Sequence, residues 1–196
     1  MTEKEKNKYT FTTTQIEQAL KSVRYKERYG QTLRSTIYAL ITVAAAAVLV
    51  AVLLLPVFKI YGHSMTPTLN DGDIVLSVKT GSVESQDIIA FYYNNKILVK
   101  RVIAKAGQWV NIDEAGNVRV DGTLLDEPYL TDKALGECDI DMPYQVPEGK
   151  VFVMGDHRSV SADSRNLAIG CVSEEQIVGK LVMCIWPFEN IGKLEE

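Results

Sequence analysis

The sequence predicts a mainly β protein that carries one transmembrane helix near its N-terminus. Two observations predict this class. Residues 35–58 contain no charged residue, and beyond residue 59 short runs rich in Val, Ile and Tyr alternate with turn residues. The 196 residues, 46% of them hydrophobic, are enough for one domain with a core and an appendage. We expect a spanning helix followed by an antiparallel β-sheet or partly closed barrel.

The uncharged run is long enough to cross a bilayer. It has 24 residues, and the hydrocarbon core needs about 20 in a helix. A buried core helix is the first alternative, but the run has no polar face. A cleavable signal peptide is the second, but its apolar part would be about 7 to 15 residues after a short charged start. Here 34 residues precede the run, so we expect a permanent anchor with the lipid bilayer as partner.

The distribution of charge predicts which side of the membrane each part occupies. The first 34 residues hold 8 of the 21 Lys and Arg but only 4 of the 25 Asp and Glu. Basic flanks stay in the cytoplasm, which predicts a cytoplasmic segment 1–34, a span 35–58 and an extracytoplasmic domain 59–196. The outer part is acidic, which argues against nucleic acid as a partner.

The basic segment also shows a helical pattern. Thr14 and Glu17 fit a capping box, and apolar residues recur at Ile16, Leu20 and Val23. An amphipathic helix on the membrane surface and a solvated helix fit this pattern equally well.

The outer domain shows strand signals in five places. Asn94-Asn95 and Ala115-Gly116-Asn117 have the composition of hairpin turns. The predicted strand regions are 73–79, 86–104, 109–125, 150–156 and 177–188.

The three cysteines lie in the outer part, where a disulfide is permitted. Cys138, Cys171 and Cys184 form an odd set, so at least one is unpaired within the chain. They form no Cys-x-x-Cys motif or Cys/His cluster. We expect neither a metal nor another cofactor.

Ser64, in the stretch Tyr61 to Asp73 ("YGHSMTPTLNDGD"), is a candidate nucleophile. Its hydroxyl would react only if a nearby base took its proton, so a base has to be found in the chain. His63 is adjacent in sequence, and the strand period turns its side chain away from Ser64. His157 is a second candidate, in a Ser/His/Asp set with Asp156 or Asp163.

Lys100 is the third candidate base. The strand period places it on one face with Leu98 and Val102. Burial among apolar groups lowers the pKa of a lysine and makes the neutral amine a usable base. The alternative is a solvated lysine on an edge strand, because lysines are seldom fully buried.

Five segments taken together carry a family resemblance. They are "GHSMTPTLNDGDIV", "VKRVIA", "VDGTLLDEPYL", "VPEGKVFVMGDHRSVSADSRN" and "IVGKLVMCIWPF". In order and approximate spacing they resemble the type I signal peptidases, membrane-bound Ser/Lys proteases that remove signal peptides. The likeness runs from Phe58 to Phe188, and a lysine at the base position favours the bacterial type.

The resemblance implies roles for individual residues. Ser64 would be the nucleophile and Lys100 the general base of an acyl-enzyme mechanism. Ser161 would orient the lysine amine, and Asp163 with Arg165 would support the site as an ion pair. For Asp156 and Arg158, in the same segment, turn and surface chemistry is the alternative explanation.

The resemblance also implies how the substrate is chosen. Signal peptides of exported preproteins would bind as an extended strand, with small residues at the first and third positions before the cut. Some relatives supply a second oxyanion donor from a serine at the position where this chain has Gly62. The identity of the second donor in this chain is therefore left open. The apolar wall positions of the pockets match Phe58, Ile60, Met65, Leu69 and Val99, although each also fits an ordinary core position.

Other functions are weighed against this one. Self-cleaving repressors share the Ser/Lys fold but would need a DNA-binding domain. A peptidase dedicated to one substrate is a closer alternative. A catalytically silent membrane protein that binds signal peptides is the alternative outside enzymes, and the joint presence of all five residues implied at the site counts against it.

Overall fold

The computed structural model describes residues 12–79 and 82–194. Part of the predicted cytoplasmic segment, residues 1–11, lies outside the described residues. The chain divides into two compact units, Met1–Ala51 and Val52–Glu196.

A long helix, α1 (Thr13–Leu54), forms nearly all of the described part of the first unit. It is long and apolar enough to cross a membrane, judged by length and composition. Its first turn is capped by the Gln15 side chain, which accepts a hydrogen bond from the Thr12 N–H at 3.2 Å. The capping residues are therefore Thr12 and Gln15 rather than the predicted Thr14 and Glu17.

The helix ends four residues before the end of the predicted span. Pro56 has no backbone N–H, and its ring disfavours helical backbone at the preceding residue, so the helix stops at Leu54. Val57 and Phe58 were expected in the helix but lie in the first strand.

Within the residues that the structure describes, twelve strands follow, all in antiparallel pairs. The first six are β1 (Val57–Lys59), β2 (Ile74–Val78), β3 (Ile88–Tyr93), β4 (Lys96–Ala104), β5 (Trp109–Ile112) and β6 (Val118–Val120). The other six are β7 (Thr123–Leu124), β8 (Tyr144–Gln145), β9 (Lys150–Met154), β10 (Val172–Ser173), β11 (Ile177–Trp186) and β12 (Gly192–Lys193). The described part of the chain also contains short 3₁₀ helices at Glu174–Gln176 and Phe188–Asn190.

The strands form two sheets. The larger has the order β1-β2-β11-β3-β4-β9-β10, with β12 paired to β11, and the smaller has the order β7-β6-β5-β8. The prediction of a mainly β, antiparallel domain is confirmed. Among the pairings of residues 12–79 and 82–194 the larger sheet does not close on itself, and the partial barrel stays a prediction.

Both predicted hairpin turns are confirmed. Asn94 and Asn95 join β3 to β4 with φ of +43° and +63°, the left-handed backbone that a tight two-residue hairpin needs. Gly116, with φ of +79°, lies in the turn from β5 to β6.

Three apolar clusters form the core, and each has a distinct place. One lies where β1, β2, β3 and β11 meet the loop after β1, and it contains Ile60, Met65, Leu69, Val75, Ile88, Ala90, Leu181 and Cys184. A second contains residues of both sheets, among them Ile103, Val110 and Phe152. The third packs on β3, β4, β9 and β10. The loop after β1 is thus held by the first cluster.

Candidate active site

Ser64 lies in the loop that joins β1 to β2. At the base of the loop the Ile60 N–H donates to the Asp73 carbonyl at 2.8 Å. Within the loop the Gly62 N–H donates to the Asp71 carboxylate at 2.7 Å. Gly62 has φ of +88°, in the left-handed region that favours glycine. These bonds fix the backbone on both sides of the half-buried Ser64.

The Lys100 amine meets the Ser64 hydroxyl. Lys100 Nζ donates to Ser64 Oγ at 2.6 Å and to the Val99 carbonyl at 3.1 Å. Lys100 is only 3% exposed, and its strand neighbours Leu98 and Val102 pack in one apolar cluster. The alternative of a solvated surface lysine is therefore wrong.

Burial changes the acidity of this amine. It lowers the pKa of Lys100 from 10.5 to about 8, because a low-dielectric surrounding disfavours the ammonium form. The Asp163 and Asp156 carboxylates act against this lowering, and the Arg165 guanidinium adds to it. About a tenth of the amine is therefore neutral at pH 7, far more than for a lysine with the ordinary pKa.

The two histidines lie near Ser64, but among the described residues neither ring hydrogen-bonds the Ser64 hydroxyl. The His157 ring nitrogen Nδ1 is 3.2 Å from the His63 carbonyl oxygen, and the His63 side chain is exposed. The His157 backbone N–H donates to the Ser64 carbonyl at 3.0 Å. Within the described residues the Ser64 hydroxyl hydrogen-bonds Lys100 and neither imidazole.

Ser161 lies against the same loop. Its hydroxyl is buried and makes no hydrogen bond among the described residues. A Cβ placed on Gly155 would collide with Ser161 Oγ and with the Ser64 carbonyl oxygen. Glycine at 155 therefore permits the close approach of the 155–161 segment to Ser64. The orienting role of Ser161 stays a prediction.

Asp163 and Arg165 form a buried ion pair behind the site. Arg165 Nε donates to Asp163 Oδ1 and Nη2 donates to Oδ2, each at 2.8 Å, and both side chains are fully buried. Oδ2 also accepts the Gly155 N–H at 2.9 Å. The pair therefore holds the glycine that contacts the Ser64 loop.

A second buried ion pair links the lysine strand to the serine loop. Arg101 Nε and Nη2 donate to the two carboxylate oxygens of Asp156 at 3.0 and 2.7 Å. Asp156 Oδ2 also accepts the hydroxyl of Thr68 at 2.5 Å. The surface explanation for Asp156 is wrong, because this carboxylate joins β4 to the loop that carries Ser64.

Arg158 is buried as well, and its partner comes from a distant loop. Arg158 Nη2 donates to Glu127 Oε1 at 2.5 Å, and the Tyr129 hydroxyl donates to the same oxygen at 3.2 Å. Burial raises the pKa of the Tyr129 phenol, so the hydroxyl keeps its proton. Its ring faces the Arg101 guanidinium at 3.8 Å from the centroid. The surface explanation for Arg158 is also wrong.

A cavity of about 110 Å³ opens beside Ser64 and Lys100. Its walls come from β1 with the following loop and from β4: Phe58, Lys59, Ile60, Tyr61, Gly62, Ser64, Met65, Ile97, Leu98, Val99 and Lys100. Four of the five predicted pocket residues line it. The fifth, Leu69, is fully buried in the apolar cluster under the loop and is not part of the lining.

Comparison with known proteins identifies the family. The family model described as "Signal peptidase, peptidase S26" matches residues 33–186. The chain belongs to this signal peptidase family. It is therefore an enzyme, a serine endopeptidase of the signal peptidase I type, and the resemblance that the sequence motifs indicated is confirmed.

Individual relatives agree with the family. Signal peptidase IB of Staphylococcus aureus is 38% identical over 153 residues, which cover 68% of this chain and 78% of that protein. Signal peptidase I of Bacillus amyloliquefaciens is 33% identical over 166 residues, covering 78% and 85%. A crystal structure of a signal peptidase I from Enterococcus faecalis V583 is 29% identical, covers 51% of this chain and 97% of its own, and has a TM-score of 0.42.

Sequence reasoning missed the residues that tie the site together. Arg101 stands in a strand in which six of the nine residues are apolar, and an arginine in such a strand indicates burial with a carboxylate partner. That signal was available for Arg101. Glu127 lies in the segment "VDGTLLDEPYL" that contributes to the family resemblance, but nothing in that segment indicates its partner Arg158, which is 31 residues away in the chain.

Proposed function

We propose that this enzyme removes signal peptides from exported preproteins after an Ala-x-Ala type site, with Ser64 as nucleophile and Lys100 as general base. The observation that carries the proposal is the 2.6 Å contact between Lys100 Nζ and Ser64 Oγ, made by a buried lysine whose pKa is lowered to about 8. A serine hydroxyl needs an adjacent base to become a nucleophile, and this neutral amine supplies one.

The first half of the reaction forms an acyl-enzyme. The neutral Lys100 amine takes the proton of the Ser64 hydroxyl as Oγ attacks the scissile carbonyl carbon. The tetrahedral intermediate then expels the amine of the mature protein, which takes the proton from Lys100. The signal peptide is left as an ester on Ser64.

The second half releases the signal peptide. The neutral Lys100 amine takes a proton from a water molecule, which attacks the ester carbonyl. The collapse of the second tetrahedral intermediate returns the proton to Ser64 Oγ. The enzyme is then ready for the next preprotein.

The oxyanion of each intermediate needs hydrogen-bond donors. The Ser64 backbone N–H makes no hydrogen bond among the described residues, which supports its role as one donor. Gly62 offers no hydroxyl as a second. Losing one such donor costs about 10²- to 10³-fold in turnover. Another group of the enzyme–substrate complex, or a water molecule, would therefore donate the second hydrogen bond to the oxyanion.

The substrate would bind as an added strand. Among the described residues, β1 pairs only with β2, and the first half of β4 pairs only with β3. Both strands therefore present unpaired backbone groups at the walls of the cavity, the arrangement that strand addition uses. A cavity of about 110 Å³ fits small side chains, which supports the choice of alanine.

Membrane attachment would bring enzyme and substrate together. We place residues 1–34 in the cytoplasm, the helix from residue 35 to Leu54 in the bilayer, and the β-domain outside, on the grounds of the basic flank and the uncharged run. Confinement to the plane that also holds the apolar part of a signal peptide raises the effective concentration of the substrate.

The test is cleavage of a preprotein with an Ala-x-Ala site by the detergent-solubilised full chain. The variants are Ser64→Ala, Lys100→Ala and His157→Ala, with Lys96→Ala as matched control, an exposed lysine on the same strand. We expect Ser64→Ala and Lys100→Ala to lose about 10⁴-fold or more, by analogy with serine protease triads. His157→Ala and Lys96→Ala should keep most activity.

Other outcomes would overturn specific parts of the proposal. If His157→Ala were the inactive variant, the base would be a histidine. If wild type failed to cut any Ala-x-Ala substrate while still binding it, a silent binding protein or a dedicated peptidase would replace the proposed function.

A further inference from the structure

The exposed face of β1 and its continuation carries a lysine and a tyrosine beside the cavity. Along the strand the side chains alternate: Phe58 is half-buried and Ile60 is buried, both in the apolar cluster under the serine loop. Lys59 and Tyr61 are exposed. The chain therefore presents an apolar face to the core and a different, polar and aromatic face to the solvent.

Lys59 is a cation without a carboxylate partner among the described residues. Its amine lies 5.5 Å from the centroid of the Tyr61 ring, and both residues belong to the wall of the cavity that contains Ser64 and Lys100. At an exposed site, a ring at this distance attracts the cation only weakly. The Tyr61 ring therefore orients the Lys59 amine without neutralising its charge. The charge is thus available to a substrate.

We propose that Lys59, supported by Tyr61, forms a subsite that favours a carboxylate side chain at the second residue before the cut. This inference rests on the proposed function. A strand added beside β1 alternates its side chains as β1 does. If the first and third residues before the cut enter the cavity beside Phe58 and Ile60, the residue between them lies on the face of Lys59.

The charge acts on selectivity rather than on chemistry. Lys59 touches neither Ser64 nor Lys100 in the hydrogen bonds of the described residues. An exposed ion pair is worth little, and its measured range corresponds to a change in kcat/KM of about 1.5- to 5-fold. The preference should weaken at high salt, because screening reaches about 10 Å at 0.1 M ionic strength.

The experiment compares three peptides that differ at one residue, with Ala-Glu-Ala, Ala-Gln-Ala and Ala-Lys-Ala before the cut. The full chain is assayed as wild type, Lys59→Gln and Lys59→Glu, at low and at high salt. Lys150→Glu is the matched control, since it changes the net charge equally at an exposed residue of β9, away from the cavity and from the strands proposed to bind the substrate.

We expect wild type to prefer the Glu peptide over the Lys peptide by about two- to fivefold in kcat/KM at low salt. Lys59→Gln should abolish this preference, Lys59→Glu should reverse it, and Lys150→Glu should retain it. High salt should reduce the preference of both charged forms.

Two results would overturn the subsite. The first is an unchanged preference in Lys59→Glu. The second is an equal loss on all three peptides in Lys59→Glu, which would assign Lys59 to a general contact such as the lipid surface. Failure of wild type to cut even the Gln peptide is a different result, because it would refute the proposed function and the subsite with it.

Discussion

Lys100 and Arg101 are neighbours on β4, but the partners of their charged groups differ. Both are buried, at 3% and 0% exposure. Arg101 faces the Asp156 carboxylate through two hydrogen bonds. Lys100 has a hydroxyl and a carbonyl as partners, and among the described residues it has no carboxylate within ion-pair distance.

The difference shows that burial alone does not decide whether a cation keeps its proton. Arg101 has a carboxylate partner, and a guanidinium is not deprotonated in proteins. Lys100 has only neutral partners, and burial lowers the pKa of its amine to about 8. One strand thus contains a permanent charge that holds structure and an adjustable charge suited to proton transfer.

The largest expected effect comes from removing the carboxylate partner of Arg101. Asp156→Asn leaves a buried guanidinium without its counter-charge, and breaking a buried pair costs about 3 to 5 kcal/mol. We expect that loss in the free energy of unfolding, measured by denaturant titration of the detergent-solubilised protein. Activity should fall with it, since Asp156 also holds Thr68 in the serine loop.

Glu84→Gln is the matched control for this variant. Glu84 pairs with Lys105 at the surface, where the side chains are 70% and 43% exposed. An exposed pair contributes about 1 kcal/mol at most. Equal losses in the two variants would show that the Asp156 pair is no different from a surface pair.

The second prediction removes the adjustable charge with Lys100→Met. Below pH 8 both folded and unfolded wild type carry the ammonium, so the cost of burying it is fully present. Between pH 8 and 10.5 the folded form is neutral while the unfolded form still binds the proton, so wild-type stability rises with pH. The Met variant should be more stable than wild type at neutral pH, by up to about 3 kcal/mol.

Thermal midpoints of both proteins across this pH range measure the effect. The advantage of Lys100→Met should shrink steadily as pH rises from 8 to 10.5. A pH-independent difference would mean that the Lys100 amine is not destabilised by burial, and the contrast with Arg101 would be lost.

The third prediction concerns Gly155, where the 155–161 segment contacts the loop that carries Ser64. Gly155 donates its N–H to the Asp163 carboxylate and packs against the Ser64 carbonyl. Gly155→Ala should push the serine loop away from Lys100 and lower kcat by about 10²-fold, the cost of a displacement near 1 Å. Gly192→Ala is the control, since its added Cβ meets nothing within 4 Å. Similar rates in the two variants would contradict the tight approach.

The fourth prediction follows the proton of Lys100 during catalysis. With a pKa of about 8, only about a tenth of the amine is neutral at pH 7, so kcat/KM should rise about tenfold between pH 7 and its plateau. A pH profile with a hydrolysable peptide measures this rise. A rate that does not rise between pH 7 and 9 would contradict Lys100 as the base.

The sequence predicted the parts of this picture that depend on local pattern. Runs rich in Val, Ile and Tyr and the Asn94-Asn95 turn predicted β3 and β4, and the uncharged run predicted the long helix. Periodicity alone left both a buried base and a solvated surface lysine open for Lys100, and only the family resemblance singled it out as the base. Residues that act through distant partners escaped, since Asp156 and Arg101 are 55 positions apart and neither reveals the other.

Leu69 shows the same limit of sequence-based prediction among the pocket residues. Its apolar side chain fits a pocket wall and a core position equally well in sequence, and its full burial under the serine loop depends on the packing of β2, β3 and β11. Such a choice is made by tertiary contacts, which the local pattern does not contain.

The smallest expected effect tests the hydroxyl of Ser161. It is buried beside Gly155 and makes no hydrogen bond among the described residues, so its removal leaves no donor unpaired and costs little stability. If it orients the Lys100 amine once substrate is bound, Ser161→Ala should lower kcat by about tenfold with little change in KM, as expected for an interaction made in the transition state. Ser161→Thr, which keeps the hydroxyl, tests for rescue. An unchanged kcat in Ser161→Ala would leave Lys100 oriented by the Val99 carbonyl and its burial alone.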